Sequence, residues 1–408
     1  MKKIIVFVVV ALVVFLGLGS YIYKTNKIIE SYEKQENKEN KKELLSMMLE
    51  TSAGSGEYQK TSASAWPTEG YTFNETLSKC EKGSSLSWDS TKNTVVMMGN
   101  NSDKCYVYFD LIPPVYLADH IKSLYTSQGA NNLYLHDNSL TNGAKDNSYR
   151  YAGSSEKTNN FVCFGYDSTD GSCPNDNLYR IIGVFGDEVK LIKYDYAKST
   201  LLGTGGDYGK TYQEAGYGGT NKGQNSKEEI GGYYWNRNGT NTWSESQLNT
   251  INLNKNYINN IGTKWSEKIS DHTWKVGGNT YSNIIEQTAS NAYQNEINKS
   301  DQIEVNAKVG LMYVSDYGYA VSFSSWSTRL EYYNEVIANN WMYMGLREWT
   351  LAPQADSSNI AFSLYDRGHV NDNYVNKFTY AVRPVFYLKS KIVYGGGSGT
   401  AAKPILIN

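Results

Sequence analysis

Four cysteines and four histidines are the residues of this chain most able to act as nucleophiles or soft metal ligands. Cys80, Cys105, Cys163 and Cys173 form two local pairs, and none stands in a C-x-x-C or beside a histidine. A redox or zinc role needs that proximity, so an even cysteine count reads instead as disulfides. Cys80–Cys105 with Cys163–Cys173 is the shortest-loop connectivity of the three that four cysteines allow. His120, His136, His272 and His369 never reach zinc-ligand spacing. No Walker A loop and no G-x-S-x-G elbow occur. Paired carboxylates for glycoside hydrolysis leave no local motif, so that chemistry stays open. The loop DSTDGSCPNDN offers Asp167, Asp170, Asn175 and Asp176 as oxygen donors for a hard cation, but it lacks EF-hand spacing. A tight turn closed by a disulfide is the simpler reading, and neither calcium nor any other cofactor is expected.

The richer segment runs from Trp341 to Leu388. Its strands alternate apolar residues, and its loops carry Arg347, Tyr365, Asp366, Arg367, His369, Asn371, Asp372, Asn373 and Tyr374. Aromatic faces stack on sugar rings while Arg, Asp and Asn satisfy hydroxyls, and Tyr, Trp and Arg dominate recognition hot spots. These nine side chains are therefore expected to form a ligand face, with Trp341 and Trp349 in the core beneath it. Across the chain, 35 Tyr and 36 Gly among 408 residues match the make-up of hydrogen-bonding recognition loops. The 39 basic and 41 acidic side chains give a net charge of −2, which argues against a nucleic-acid partner.

These loops need a scaffold and a compartment. Residues Ile4 to Tyr23 are uncharged and almost continuously apolar, flanked by Lys2, Lys3, Lys24 and Lys27. About 20 such residues span a bilayer core, and the short basic tail favours a cytoplasmic N-terminus with the remainder exported. An uncleaved anchor over residues 1–24 is preferred to a cleaved signal peptide, for which Gly17 and Gly19 would supply the small residues. Residues 25–65 read as a helical stalk, with Leu44, Leu45, Met48 and Leu49 at helical spacing, followed by a flexible joint. Residues 66–113 form a small β module, in which SLSW and TVVMM flank the turn DSTKN. Residues 114–147 read as a linker. A larger domain follows over 148–408, and its best hairpin is LYRIIGVF and EVKLIKYDY around Gly186-Asp187. Residues 201–242 show no period and read as a long loop. Ser244 and Gln247 form a capping box before a helix carrying Leu248, Ile251 and Ile258, and a second helix covers 281–297. Few helices among many strands give the α+β class.

Specific motifs add a resemblance. WTLAP at 349–353, AVRPVFYLKS at 381–390 and GGGSGTAAKPILI at 395–407 resemble the C-terminal domain of exported proteins of Gram-positive, often gut-dwelling, bacteria. SKCEKGSSLSWDSTKNTVV and DKCYVYFD at 78–110 resemble a small module that accompanies it. The W-T-L-x-P and V-R-P-V pattern, with WMYMGL at 341–346, is also distantly similar to the C-type-lectin-like fold of bacterial adhesins and formylglycine-generating enzymes. No cysteine follows Cys173, so the copper-holding pair of those enzymes has no counterpart, and APQAD at 352–356 replaces the lectin calcium motifs. The resemblance implies a C-type-lectin-like head with variable loops on a rigid sheet, in which Arg383 and Pro384 serve the fold. The expectation is a single-pass cell-surface binding protein or adhesin, with a protein or glycan as partner. The alternatives are an exported cell-wall carbohydrate hydrolase and a structural subunit of a surface fibre.

Overall fold

The computed structural model describes residues 45–61, 64–67, 69–215, 217–299 and 302–408. The apolar segment Ile4 to Tyr23 and the charged part of the stalk lie outside them. Among the described residues no helix is long and apolar enough to cross a membrane. The fold is mixed α+β, rich in strands and poor in helix, and the chain separates into two units at Pro113 and Pro114.

The first unit is built on one unusual pairing. Leu45–Glu50 lies parallel to Cys105–Leu111, with Tyr58–Thr61 on its other side and Tyr71–Cys80 beyond Cys105–Leu111. This corrects the helical stalk: LSMMLE is a central strand. Leu45, Met48 and Leu49 fit a helical stripe, yet Ser46, Met47 and Glu50 are the buried residues. Ser46 and Met47 point to opposite faces of the strand and both are buried, so a run without strict alternation suits it. The Glu50 carboxylate accepts the amides of Gly56 and Leu111 at 2.9 and 3.0 Å, which fixes the turn after the strand and holds its carboxyl below the usual range. The hairpin Ser85–Asp89 and Thr94–Met98 forms as read, and the Asp89 carboxylate accepts the turn amides of Thr91 and Lys92. Phe109 gathers Phe73, Trp66 and Trp88 at centroid distances of 5.6 to 5.9 Å. Cys80 is disulfide-bonded to Cys105, directly opposite it across two strands. A core this small gains from the staple.

The second unit is framed by a sheet in the order Val309–Gly310, Val385–Leu388, Glu188–Lys193, Leu178–Phe185, Tyr149–Tyr151, Leu133–Leu135. Phe161–Cys163 pairs with the start of Leu178–Phe185. The hairpin around Gly186-Asp187 is its centre, and its strands are buried along nearly their whole length. The linker reading of 114–147 needs correction. Leu117–Ser123 is a helix, Leu133–Leu135 is an edge strand, and Leu117, Ile121, Leu133 and Ala144 are core. Polar turns between short elements hid a segment that contributes to the same core. A second sheet, Glu348–Pro353, Ile360–Leu364 and Val370–Tyr374, carries the expected ligand segment. Trp341 and Trp349 are both buried, and each indole N–H donates to a backbone carbonyl, of Tyr151 and Tyr233 respectively.

Both expected helices differ from their reading. Leu248–Tyr257 winds as a π-helix without a side-chain cap from Ser244 or Gln247. The Asp207 carboxylate, from a distant loop, accepts the Leu248 amide at 2.7 Å instead. The segment 281–297 breaks into Tyr281–Ile284, Ala289–Tyr293 and the π-turn Gln294–Asn298. Within the loop 201–242, Tyr208–Thr211 pairs with Gly231–Tyr233.

Two histidines, one buried and one half-buried, give this unit a pH response. His136 accepts the Ala144 amide at Nδ1 at 3.0 Å and lies against Tyr319 and Trp326, and burial holds its pKa well below the ordinary value. His272 stacks on Tyr387 at 3.9 Å, and burial together with Lys190 lowers it to about 4. The folded state prefers neutral imidazole at both sites. That contribution is complete above about pH 6.5, the unfolded value, and is lost as pH falls towards the folded values. Glu296 is raised to about 7 by burial and acts in the opposite sense, its contribution fading as pH rises through 7. Thermal denaturation between pH 7 and 4.5 is expected to show a smaller acid loss for His136→Gln than for the parent chain. Equal losses would mean that this imidazole is not linked to folding.

Candidate functional site

Arg347 is the residue around which the expected ligand face assembles. It follows the close-packed turn Tyr343 to Leu346, and two glycines explain how that turn is set. A β-carbon on Gly219 would lie 2.4 Å from the Gly345 carbonyl oxygen, and one on Gly345 would lie 2.2 Å from that of Thr220. Both residues have positive φ, +87° and +94°. Only glycine serves at such a reciprocal backbone approach, and the Lys222 amide closes it by donating to the Met344 carbonyl at 3.0 Å. The loop 217–222, which sequence reasoning left without a role, is thereby fixed beside Arg347.

The Arg347 guanidinium lies over the Tyr365 ring at 4.1 Å and the Tyr217 ring at 4.9 Å. Cation–π attraction and apolar contact hold it there. Its Nε is 3.6 Å from an Asp366 carboxylate oxygen, ion-pair distance but too long for a hydrogen bond. That nitrogen has no hydrogen-bond partner among the described residues. The Arg347 amide donates to the Tyr212 hydroxyl at 3.0 Å, so the backbone beneath is anchored. Tyr217 also meets Tyr380 at 5.0 Å and Phe378 at 6.0 Å, giving a patch of aromatic edges and faces. Burial pushes the Tyr217 hydroxyl up to about 12, so it serves as a neutral donor at physiological pH.

The other expected residues divide. Tyr365 lies 4.8 Å from His369 across the hairpin loop, and its hydroxyl is 3.4 Å from the Asn373 side-chain oxygen. Burial lowers His369, leaving it neutral at pH 7. Arg367 is at the exposed tip of the loop. Asn373 is buried and spends its amide on the Ser363 hydroxyl at 3.0 Å, a structural use. Strand alternation places Asn371 with Asn373 on one face of Val370–Tyr374, and Asp372 with Tyr374 on the other. Burial raises the Asp372 carboxyl. Tyr374 is exposed beneath the Lys377 ammonium, 3.8 Å from the ring centre. Arg347, Tyr365, Asp366 and His369 thus come together, while Asp372 and Tyr374 belong to the opposite face of their strand. Tyr212, Tyr217, Phe378 and Tyr380 were missed. The tyrosine excess and the Gly218-Gly219 pair were the only signals that could have pointed to them.

The disulfide loop behaves differently. Cys163 is bonded to Cys173. Asp167 pairs with Lys264, Asp170 accepts from Ser172, and Asp176 pairs with Lys198 at 3.0 Å. The carboxylates of this loop are each engaged separately, and among the described residues no three His, Cys, Asp or Glu side chains gather as metal ligands. Beside this loop lies a cavity of about 400 Å³, lined by Phe164, Tyr179, Leu201, Ile261, Lys193 and Lys198 among others. A second cavity, of about 340 Å³, lies against Trp243, Gln302 and Gln354.

Comparison with protein-family models, with curated proteins and with solved structures found no match.

Proposed function

We propose that this chain is an exported surface binding protein, anchored by its apolar N-terminus, whose second unit is a C-type-lectin-like head for a protein or glycan. The observation that carries the reading is Arg347, whose guanidinium lies 4.1 and 4.9 Å from the Tyr365 and Tyr217 ring centres with the Asp366 carboxylate beside it. Aromatic rings that need little ordering, an oriented cation and a nearby carboxylate are what an interface hot spot requires. The same set suits a sugar, whose C–H face stacks on a ring while its hydroxyls divide between donor and acceptor. The two disulfides agree with an oxidising compartment. The W-T-L-x-P and V-R-P-V resemblance supports a C-type-lectin-like head, and the burial of Arg383 agrees with a place in its scaffold.

The test is binding of the full chain, in mild detergent, to broad protein and glycan arrays, followed by titration of any hit. Arg347→Ala and Tyr365→Ala are each expected to weaken binding by about tenfold or more, the scale of a hot-spot truncation. Their melting temperatures should stay near that of the parent. Arrays silent for both ligand classes, or a hit indifferent to both substitutions, would remove the reading.

A further inference from the structure

The cavity beside the second disulfide has one feature that the Arg347 face does not explain. Lys193 closes the strand Glu188–Lys193, is only 1% exposed, and lines the cavity. Its ammonium has three N–H donors and donates to the Asp176 carbonyl at 2.8 Å. Among the described residues no carboxylate is within ion-pair distance of it. The two nearest acids are already engaged. Asp176 pairs through its carboxylate with Lys198, which also meets Glu229 at 3.2 Å. Asp195 accepts the amides of Gln224 and Asn225 at 2.6 and 2.7 Å and the Asn221 side chain at 2.9 Å. A buried cation without a contacting counter-ion is costly. The cost shows in Lys193, which burial lowers to about 8 even though Asp176 and Asp195 raise it, with Lys198 adding to the lowering.

The remaining walls say what would relieve that cost. Phe164, Tyr179, Leu201 and Ile261 are apolar or aromatic, while Asn177, Thr200 and Asn260 add polar groups near the mouth. The volume of about 400 Å³ falls within the range of small-molecule sites. One uncompensated charge calls for a monoanion. The other lysine of the lining, Lys198, is already paired with Asp176 and Glu229, and no arginine lines the cavity, so the second charge of a phosphate would go unanswered.

We propose that this cavity is a binding site for a small carboxylate, with the Lys193 ammonium as its ion-pair partner and Phe164, Tyr179, Leu201 and Ile261 against its body. The body is that of an aliphatic acid or an acidic sugar, and the two are told apart directly. The full chain in mild detergent is titrated calorimetrically with hexanoate and with glucuronate, against hexanol and glucose as neutral counterparts. Saturable binding is expected for at least one acid and for neither neutral compound. Lys193→Met should weaken it by about tenfold or more. A second measurement needs no variant: the bound acid should slow the reaction of Lys193 with fluorodinitrobenzene, read by peptide mass spectrometry. Arg347→Ala should leave acid binding intact, so this site and the Arg347 face fail or stand separately. Binding of neither acid, undiminished binding by Lys193→Met, or unprotected labelling of Lys193 would overturn the proposal.

Discussion

Glu348→Gln is expected to destabilise the second unit by about 3–5 kcal/mol, the cost of removing one partner from a buried ion pair. Arg383 donates to both carboxylate oxygens of Glu348 at 2.8 Å, and both side chains are almost fully buried. The pair also ties segments together, because the same guanidinium donates to the Met342 carbonyl at 2.8 Å. Burial alone pushes the Glu348 carboxyl up, and Arg383 works against that shift. An amide keeps the shape but loses the charge, leaving a guanidinium with no counter-ion in a dry site. The double replacement Glu348→Leu with Arg383→Met should recover most of the loss, because both desolvation costs disappear together. Chemical denaturation of the two variants and the parent measures this. A Glu348→Gln chain as stable as the parent would mean that water reaches the pair.

Asp316→Asn is expected to cost a similar amount, again about 3–5 kcal/mol, for a different combination of reasons. Asp316 receives the buried Lys190 ammonium at 2.6 Å and lies 3.8 Å from the Arg150 guanidinium. It also accepts the Tyr313 amide at 2.9 Å, which caps the helix Val314–Tyr319. Arg150 keeps a second carboxylate, Asp146, at 2.7 Å, and lies over the rings of Phe185, Tyr293 and Tyr319. Among the described residues Lys190 has no second carboxylate at ion-pair distance: Glu296 acts on it only from beyond that range, and Tyr313 at 4.5 Å is among the aromatic rings around it. The loss should therefore fall mainly on Lys190, and Lys190→Met in the Asp316→Asn background should restore stability more than Arg150→Met does. The reverse order in a double-mutant cycle would show that Arg150 is the dependent partner.

Local rules reached some of this architecture. The Leu178–Lys193 hairpin was legible because its turn and its strands are contiguous in sequence. The disulfides were legible because short loops are the easiest to close. The burial of Trp341 and Trp349 was legible from the apolar patterning around them. What escaped depends on distant partners. LSMMLE satisfies a helical spacing and a buried strand equally, and the segment that decides between them starts at Cys105. The helix at Leu248 takes its cap from Asp207, which no capping-box rule anticipates. Half of the Arg347 site comes from a stretch without periodicity, positioned by the contact between Gly219 and Gly345. Arg347, Tyr365, Asp366 and His369 were readable as residue types. Their convergence, and the turning away of Asp372 and Tyr374, follow from register.

The parallel pairing of Leu45–Glu50 with Cys105–Leu111 has a consequence for any shortened form of this protein. A chain cut to begin at Thr51 would lack one of the two inner strands of its first sheet. Cys105–Leu111 would then present a vacant slot, open to any extended peptide that can fill it. The readiest donor is the same sequence from a longer copy, so trimmed and untrimmed chains in one sample would join by strand donation. Proteolysis just before Thr51 would thus convert a self-contained module into a receptor for its own missing piece.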